Sequence, residues 1–163
     1  MGKSRNWDLD RDADEGREHS TCLMGKAEKR EKLAEVLLDP LCDPAERTIV
    51  LVESRFKADF VALYLASLGL PVNNIHEEKV REEKERAVFE FQSGDKPILV
   101  VTPDLTHDLV LALDTRDVAH IIDYDMNEGG HIEILLLLIG YWDNPGKLTS
   151  FVESTKGIRM QGV

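Results

Sequence analysis

Apolar residues change their spacing along this chain in an ordered way, and each change marks an element. Residues 48–52 form an unbroken run of Thr48, Ile49, Val50, Leu51 and Val52, the pattern of a strand buried on both faces. Similar stretches at 72–75, 97–102, 118–124 and 148–152 predict four more strands. Helical spacing fills the intervals. Residues 26–38 read as an amphipathic helix, and Phe56, Phe60, Leu63 and Tyr64 recur at helical intervals before Gly69 and Pro71 end the segment. Residues 79–92 predict a charged helix with Val80, Ala87, Val88 and Phe91 on one side, stopped by Ser93 and Gly94. Residues 132–139 predict a buried helix. Strands alternating with helices specify a three-layer α/β domain with a mostly parallel sheet of about five or six strands.

The first 24 residues mix acidic and basic side chains without apolar periodicity, so 1–25 is expected to be a disordered charged tail. The domain is expected over 26–153, with a polar tail at 154–163. Composition agrees with a folded core: 42% of residues are hydrophobic and 31% charged. The apolar run 134–139 falls far short of the roughly 20 residues a membrane helix needs. The polar N-terminal residues lack the apolar centre of a secretory signal, which predicts a cytoplasmic protein without membrane contact. Cys22 and Cys42 stand in dissimilar contexts and read as reduced thiols.

Charge narrows the function. A net charge of −11 is a poor starting point for a generic nucleic-acid binder, which displaces counterions with a basic face. Ser54, Ser67 and Ser93 have no paired histidine to make a nucleophile. His107, Asp108, His120, Asp123 and Asp125 lack metal-ligand spacing. No metal and no cofactor is expected.

One ordered string of short matches carries a resemblance. Thr48 to Ser54, Lys57-Ala58-Asp59-Phe60, Ile75-His76, Phe91-Gln92-Ser93-Gly94, the strand 97–102, the segment His120 to Met126 and Thr149-Ser150-Phe151 together resemble the second, C-terminal RecA-like domain of DEAD-box RNA helicases, with the Vasa-type branch nearest. The resemblance covers roughly 28–152. It implies a RecA-like fold, and in active relatives this domain grips the RNA backbone and delivers arginines to ATP.

The chemistry-bearing positions depart from that pattern. His-Gly-Asp of the family stands here as His76-Glu77-Glu78, and two carboxylates at a helix start should repel the phosphate relatives hold there. Arg-Gly-Leu-Asp corresponds to Leu111-Ala112-Leu113-Asp114, reached by allowing about four extra residues in the loop after Thr102. Asp114 is the retained nucleotide-site position, while Leu111 and Ala112 mark losses. The arginine-rich last motif falls in 134–142, where Leu135 and Leu138 represent a stretch without lysine or arginine. An arginine finger is worth about 10³ to 10⁵ in rate, and leucine cannot replace it. No GxxxxGK phosphate loop is present, and Asp12-Ala13-Asp14-Glu15 lacks the buried strand a magnesium-binding DEAD box requires.

Two residual RNA contacts follow from the resemblance: His76 and Thr102. Thr102 fits equally a phosphate contact or a cap on the following segment. The helix bearing Arg55, Phe56, Asp59, Phe60 and Leu63 is a candidate protein-docking surface, with ordinary core and solvent faces as its other reading. The expected function is therefore a catalytically inactive helicase-C-like domain that binds a protein partner in ribonucleoprotein complexes, with RNA binding weak or absent. Cytoplasmic, germline-type ribonucleoprotein granules are the location the resemblance implies. The alternative is the RNA-binding half of an ATP-dependent helicase, completed by a first RecA-like domain in trans. A decaying duplicate without selected function is a third reading.

Overall fold

The continuous apolar runs form the centre of a parallel sheet in the computed structural model, which describes residues 18–41, 43, 45–125, 142 and 146–153. β2 (Arg47–Leu51) lies between β4 (Ile98–Val101) and β5 (Val118–Asp123), parallel to both. Ile49 and Leu51 enter the core on one face, and Val50 and Val52 enter it on the other. A central strand covered on both sides cannot alternate apolar with polar residues, which explains the unbroken run. β3 (Val72–Ile75) pairs outside β4, and β6 (Lys147–Glu153) outside β5. The strand order is β1-β6-β5-β2-β4-β3.

Four helices cover the two faces. A 3₁₀ turn, Lys26–Glu28, leads into α1 (Lys29–Leu37), which shares one face with α2 (Arg55–Ser67) through Leu33, Ala58, Val61 and Leu65. α3 (Arg81–Ser93) and α4 (Pro103–Ala112) cover the other through Ala87, Phe91 and Leu109. Ser54 caps α2 by accepting the Lys57 N–H at 3.3 Å. Gly69 and Gly94 close α2 and α3 at φ of +86° and +90°, where a Cβ would be strained.

The structure departs from the expectations in four places. Residues 18–24, assigned to a disordered tail, form the edge strand β1 (Glu18–Met24), which pairs with β6 from Glu18↔Lys147 to Met24↔Glu153. Its partner lies more than 120 residues away, and only Cys22 and Met24 turn towards the core, so no local pattern announces it. The segment after Thr102 is not a loop but the ten-residue α4, with Pro103 at its first position. Residues 26–38 divide into a 3₁₀ turn and a shorter α-helix. Val80 is 57% exposed at the N-cap of α3, outside the core stripe assigned to it. The predicted tail at 154–163 and helix at 132–139 lie outside the described residues.

Candidate functional site

Every strand of a parallel sheet ends on the same side, and ligands of open α/β sheets bind at those carboxyl ends. Here β2 and β5 are tied together at that edge by Asp125, which is 1% exposed. Its Oδ1 accepts the Glu53 N–H at 2.8 Å, and its Oδ2 accepts from Lys57 Nζ at 2.6 Å. The clamp fixes the start of α2 against the end of β5. A lysine that would otherwise face solvent on the edge is thereby committed to an internal carboxylate.

Beside it, His76 follows β3 and is 5% exposed. Its Nδ1 accepts the Glu78 N–H at 3.2 Å, so the proton sits on Nε2, which donates to Asp59 Oδ1 at 2.9 Å. The same Asp59 oxygen accepts from Asn74 at 2.8 Å. Partial burial works against ionisation of Asp59, but the hydrogen bonds from Asn74 and His76 prevail and hold its carboxyl below the ordinary value. Both ring nitrogens of His76 thus serve the turn and α2. Glu77 and Glu78 are exposed, and Glu78 approaches Arg55 at 3.8 Å. The corner is acidic on its outer side.

Thr102 ends β4 at the N-cap position of α4, 2% exposed, yet its side chain makes no cap hydrogen bond. Its Oγ1 has no hydrogen-bond partner, while its carbonyl accepts from Thr106 Oγ1 at 3.0 Å. The structure does not gather the other retained position with it. α4 runs back along the sheet, so Leu111, Ala112 and Asp114 lie near the start of β5, at the opposite edge. Leu111 is 72% exposed and Ala112 is exposed. Asp114 receives Arg116 Nε and Nη2 at 2.9 and 2.8 Å, a bidentate contact that lowers its pKa, and its carboxylate also accepts the Arg116 N–H. Leu135 and Leu138 lie outside the described residues. Among the described residues, no three His, Cys, Asp or Glu side chains converge on a point that could hold a metal.

α2 presents a different surface. It buries Ala58, Val61, Ala62 and Leu65, and leaves Phe56, Phe60 and Leu63 at 71%, 46% and 72% exposure. Spaced i, i+4 and i+7, these three form one apolar stripe on the outer face. Arg30 of α1 stands over the rings of Phe60 and Tyr64 at 5.6 and 5.5 Å, and Arg55 over Phe56 at 4.8 Å. Sequence reasoning missed Arg30, because the contact joins two helices and leaves no trace in the spacing of either.

The family model of the helicase conserved C-terminal domain matches residues 28–140. The chain is 32% identical to the ATP-dependent RNA helicase vasa of Drosophila melanogaster over 136 residues, covering 82% of this chain and 19% of that protein. It is 37% identical to the ATP-dependent RNA helicase DDX4 of Mus musculus over 103 residues, 63% of this chain and 14% of that protein. It spans less than a fifth of the length of these relatives. In structure it resembles a DEAD box protein from Methanococcus jannaschii, with a TM-score of 0.71 and 18% identity, over 90% of this chain and 39% of that one. It also resembles the C-terminal domain of Dbp5 from S. cerevisiae bound to Gle1 and IP6, with a TM-score of 0.68 and 20% identity, over 89% of this chain and 80% of that one.

Proposed function

The chain belongs to the helicase conserved C-terminal domain family of DEAD-box proteins, and from that premise we propose that it is a catalytically inactive member acting as a protein-binding module in ribonucleoprotein complexes. The observation that carries this reading is the stripe of Phe56, Phe60 and Leu63. A monomer gains nothing by exposing two phenylalanines and a leucine in register on one helix, whereas burying each against a partner contributes about 1.5–3 kcal/mol. The arginines stacked on those rings orient them and add charge at the rim. A C-terminal domain of the same fold carries a protein, Gle1, in the Dbp5 structure.

Inactivity rests on the positions that should serve ATP. Leu111 and Ala112 replace the family's arginine and glycine, and 134–142 contains no lysine or arginine. The four residues in excess of the family's spacing correspond to one helical turn in α4. That turn moves Asp114 along the helix axis by about 6 Å. We place the chain in cytoplasmic, germline-type ribonucleoprotein granules, an assignment that follows from likeness to Vasa-type relatives and from nothing in the site itself.

Affinity purification from the tissue that makes the protein, with native chain and a Phe56→Glu, Phe60→Glu variant, tests the docking role. A protein partner retained after ribonuclease treatment and lost from the variant is the expected outcome. Equal recovery from both would remove α2 as the docking surface.

One observation favours the alternative, an RNA-binding half completed by a first RecA-like domain in trans. The Thr102 hydroxyl is buried at a helix start without a partner, where a phosphate oxygen could supply one. Titrating labelled single-stranded RNA at two salt concentrations separates the readings. Weak binding by the native chain, with modest recovery in Glu77→Gly, Glu78→Asp, supports the inactive module. Tight native binding with a steep salt slope would establish the alternative.

A further inference from the structure

On the face of the sheet opposite α2, α3 and α4 lie side by side and leave a groove of about 330 Å³ between them. Ile75 and Leu109, 4% and 2% exposed, form its floor. Val88 and Phe89 of α3 and Leu105 and Ala112 of α4 form its walls, and Phe89 is 66% exposed there. The volume lies within the range of about 300–1,000 Å³ typical of sites that take up a ligand group. The trough follows the ten residues of α4 and is therefore about 15 Å long.

Charge around the groove has a consistent sign. Asp108 lines it, with Asp104 one turn earlier on α4, and Glu85 faces them from α3 with Arg81 bound to it at 2.9 Å. Lys84 lines the same wall. α3 and α4 both descend from the carboxyl edge of the sheet, so their C-termini lie together, and neither has a basic residue in its last turn. Two sets of end carbonyls, with Asp95 just beyond α3, leave that end of the trough negative.

We propose that this groove receives a basic amphipathic helix of a partner protein, with apolar side chains at i, i+3 or i+4 and i+7 seated between α3 and α4 and lysines or arginines meeting the acidic rim. A straight apolar trough about three helical turns long matches one face of such a helix, and the charges select its sign and direction. The inference rests on the general reading of the chain as a binding module. It uses the face opposite the α2 stripe, so the two surfaces fail independently.

The test is a fluorescence-anisotropy titration of the full chain against labelled peptides of about 15 residues. One peptide carries leucines on a single helical face with lysines elsewhere. A second has the same composition scrambled, and a third keeps the leucine face but has glutamates in place of lysines. The lysine helix should bind at least about tenfold tighter than either control. Ala112→Trp, which fills the groove from an exposed position, should weaken binding about tenfold with an unchanged thermal midpoint. Phe89→Ser should weaken it by removing a wall, and Phe60→Glu on α2 should leave it unchanged. Equal binding of the scrambled peptide would reduce the effect to net charge and overturn the proposal, as would equal binding of the glutamate helix. A native dimer that Ala112→Trp dissociates would assign the groove to a second copy of this chain and overturn it too.

Discussion

His120 should make the fold sensitive to mild acid. Its ring is 4% exposed within the sheet, and Nε2 meets Thr149 Oγ1 at 2.8 Å. Burial, with a smaller contribution from the Lys147 charge, lowers its pKa from 6.5 to about 4. Above pH 6.5 the imidazole is neutral in folded and unfolded chains alike, and it contributes nothing to the pH dependence. As pH falls below 6.5 the unfolded chain takes up the proton while the folded chain refuses it, so stability declines until the folded pKa is passed. At pH 5 the linkage amounts to about 2 kcal/mol, and below pH 4 to about 3 kcal/mol. Asp59 and Asp114, whose pKa values are lowered, lose their contribution at more acid pH, below the ordinary carboxylate range, which separates them from this window. Urea unfolding of the native chain and of His120→Gln, whose amide can still reach Thr149, should be measured at about pH 7.5, 6 and 5. The stability difference between the two should shift by about 2 kcal/mol in favour of the variant between the first and last pH. Parallel loss in both proteins would show that His120 is not the titrating group and refute the burial argument.

Asp125→Ala should destabilise the fold by about 2 kcal/mol in denaturant titrations, because the Glu53 N–H and Lys57 lose their common acceptor; no measurable change would mean that the clamp is not formed in solution. Gly146→Ala should cost about 1–3 kcal/mol or shift β6, since a Cβ there would collide with the Ala119 carbonyl, and an unchanged unfolding midpoint would contradict that packing. The isolated chain should show no RNA-stimulated ATP hydrolysis, and Leu111→Arg should not restore it, since Leu111 lies at the far end of α4 from Thr102. Phosphate release by the native chain that is abolished by a change at Asp114 would refute the inactive reading.

The parts of the fold legible in the sequence are those whose environment is repeated along the chain. β2, β4 and β5 are buried on both faces residue after residue, so their runs are unbroken. α2 and α3 carry their own stop signals in Gly69 and Gly94. β1 was illegible because its reason for being a strand is its pairing with β6, and Leu23, 71% exposed, masks the alternation of Cys22 and Met24. α4 was hidden by a family pattern that sets a shorter connection there, although Leu105 and Leu109 carry helical spacing. Site chemistry was less legible still. The sequence supplies His76, Asp59 and Asn74 as separate residues, and only the packing of β3 against α2 makes them one hydrogen-bonded group.

That group bears on how the carboxyl edge can lose one function while the fold persists. His76 is held by Asp59 and the Glu78 backbone, Lys57 by Asp125, and Arg55 leans towards Glu78. Each contact consumes a polar group that an RNA backbone would otherwise engage, and each ties the start of α2 to the sheet. The same bonds that withdraw these groups from phosphate therefore hold α2 in place with its aromatic stripe outward. Thr102 is the exception, buried with its hydroxyl unengaged. On the inactive reading its hydroxyl is a remnant that stability tolerates, because an unsatisfied buried hydroxyl costs only about 1–3 kcal/mol. Thr102→Val should then leave RNA binding unchanged and stabilise the fold. A weakened RNA affinity in that variant would mean that the edge still holds phosphate.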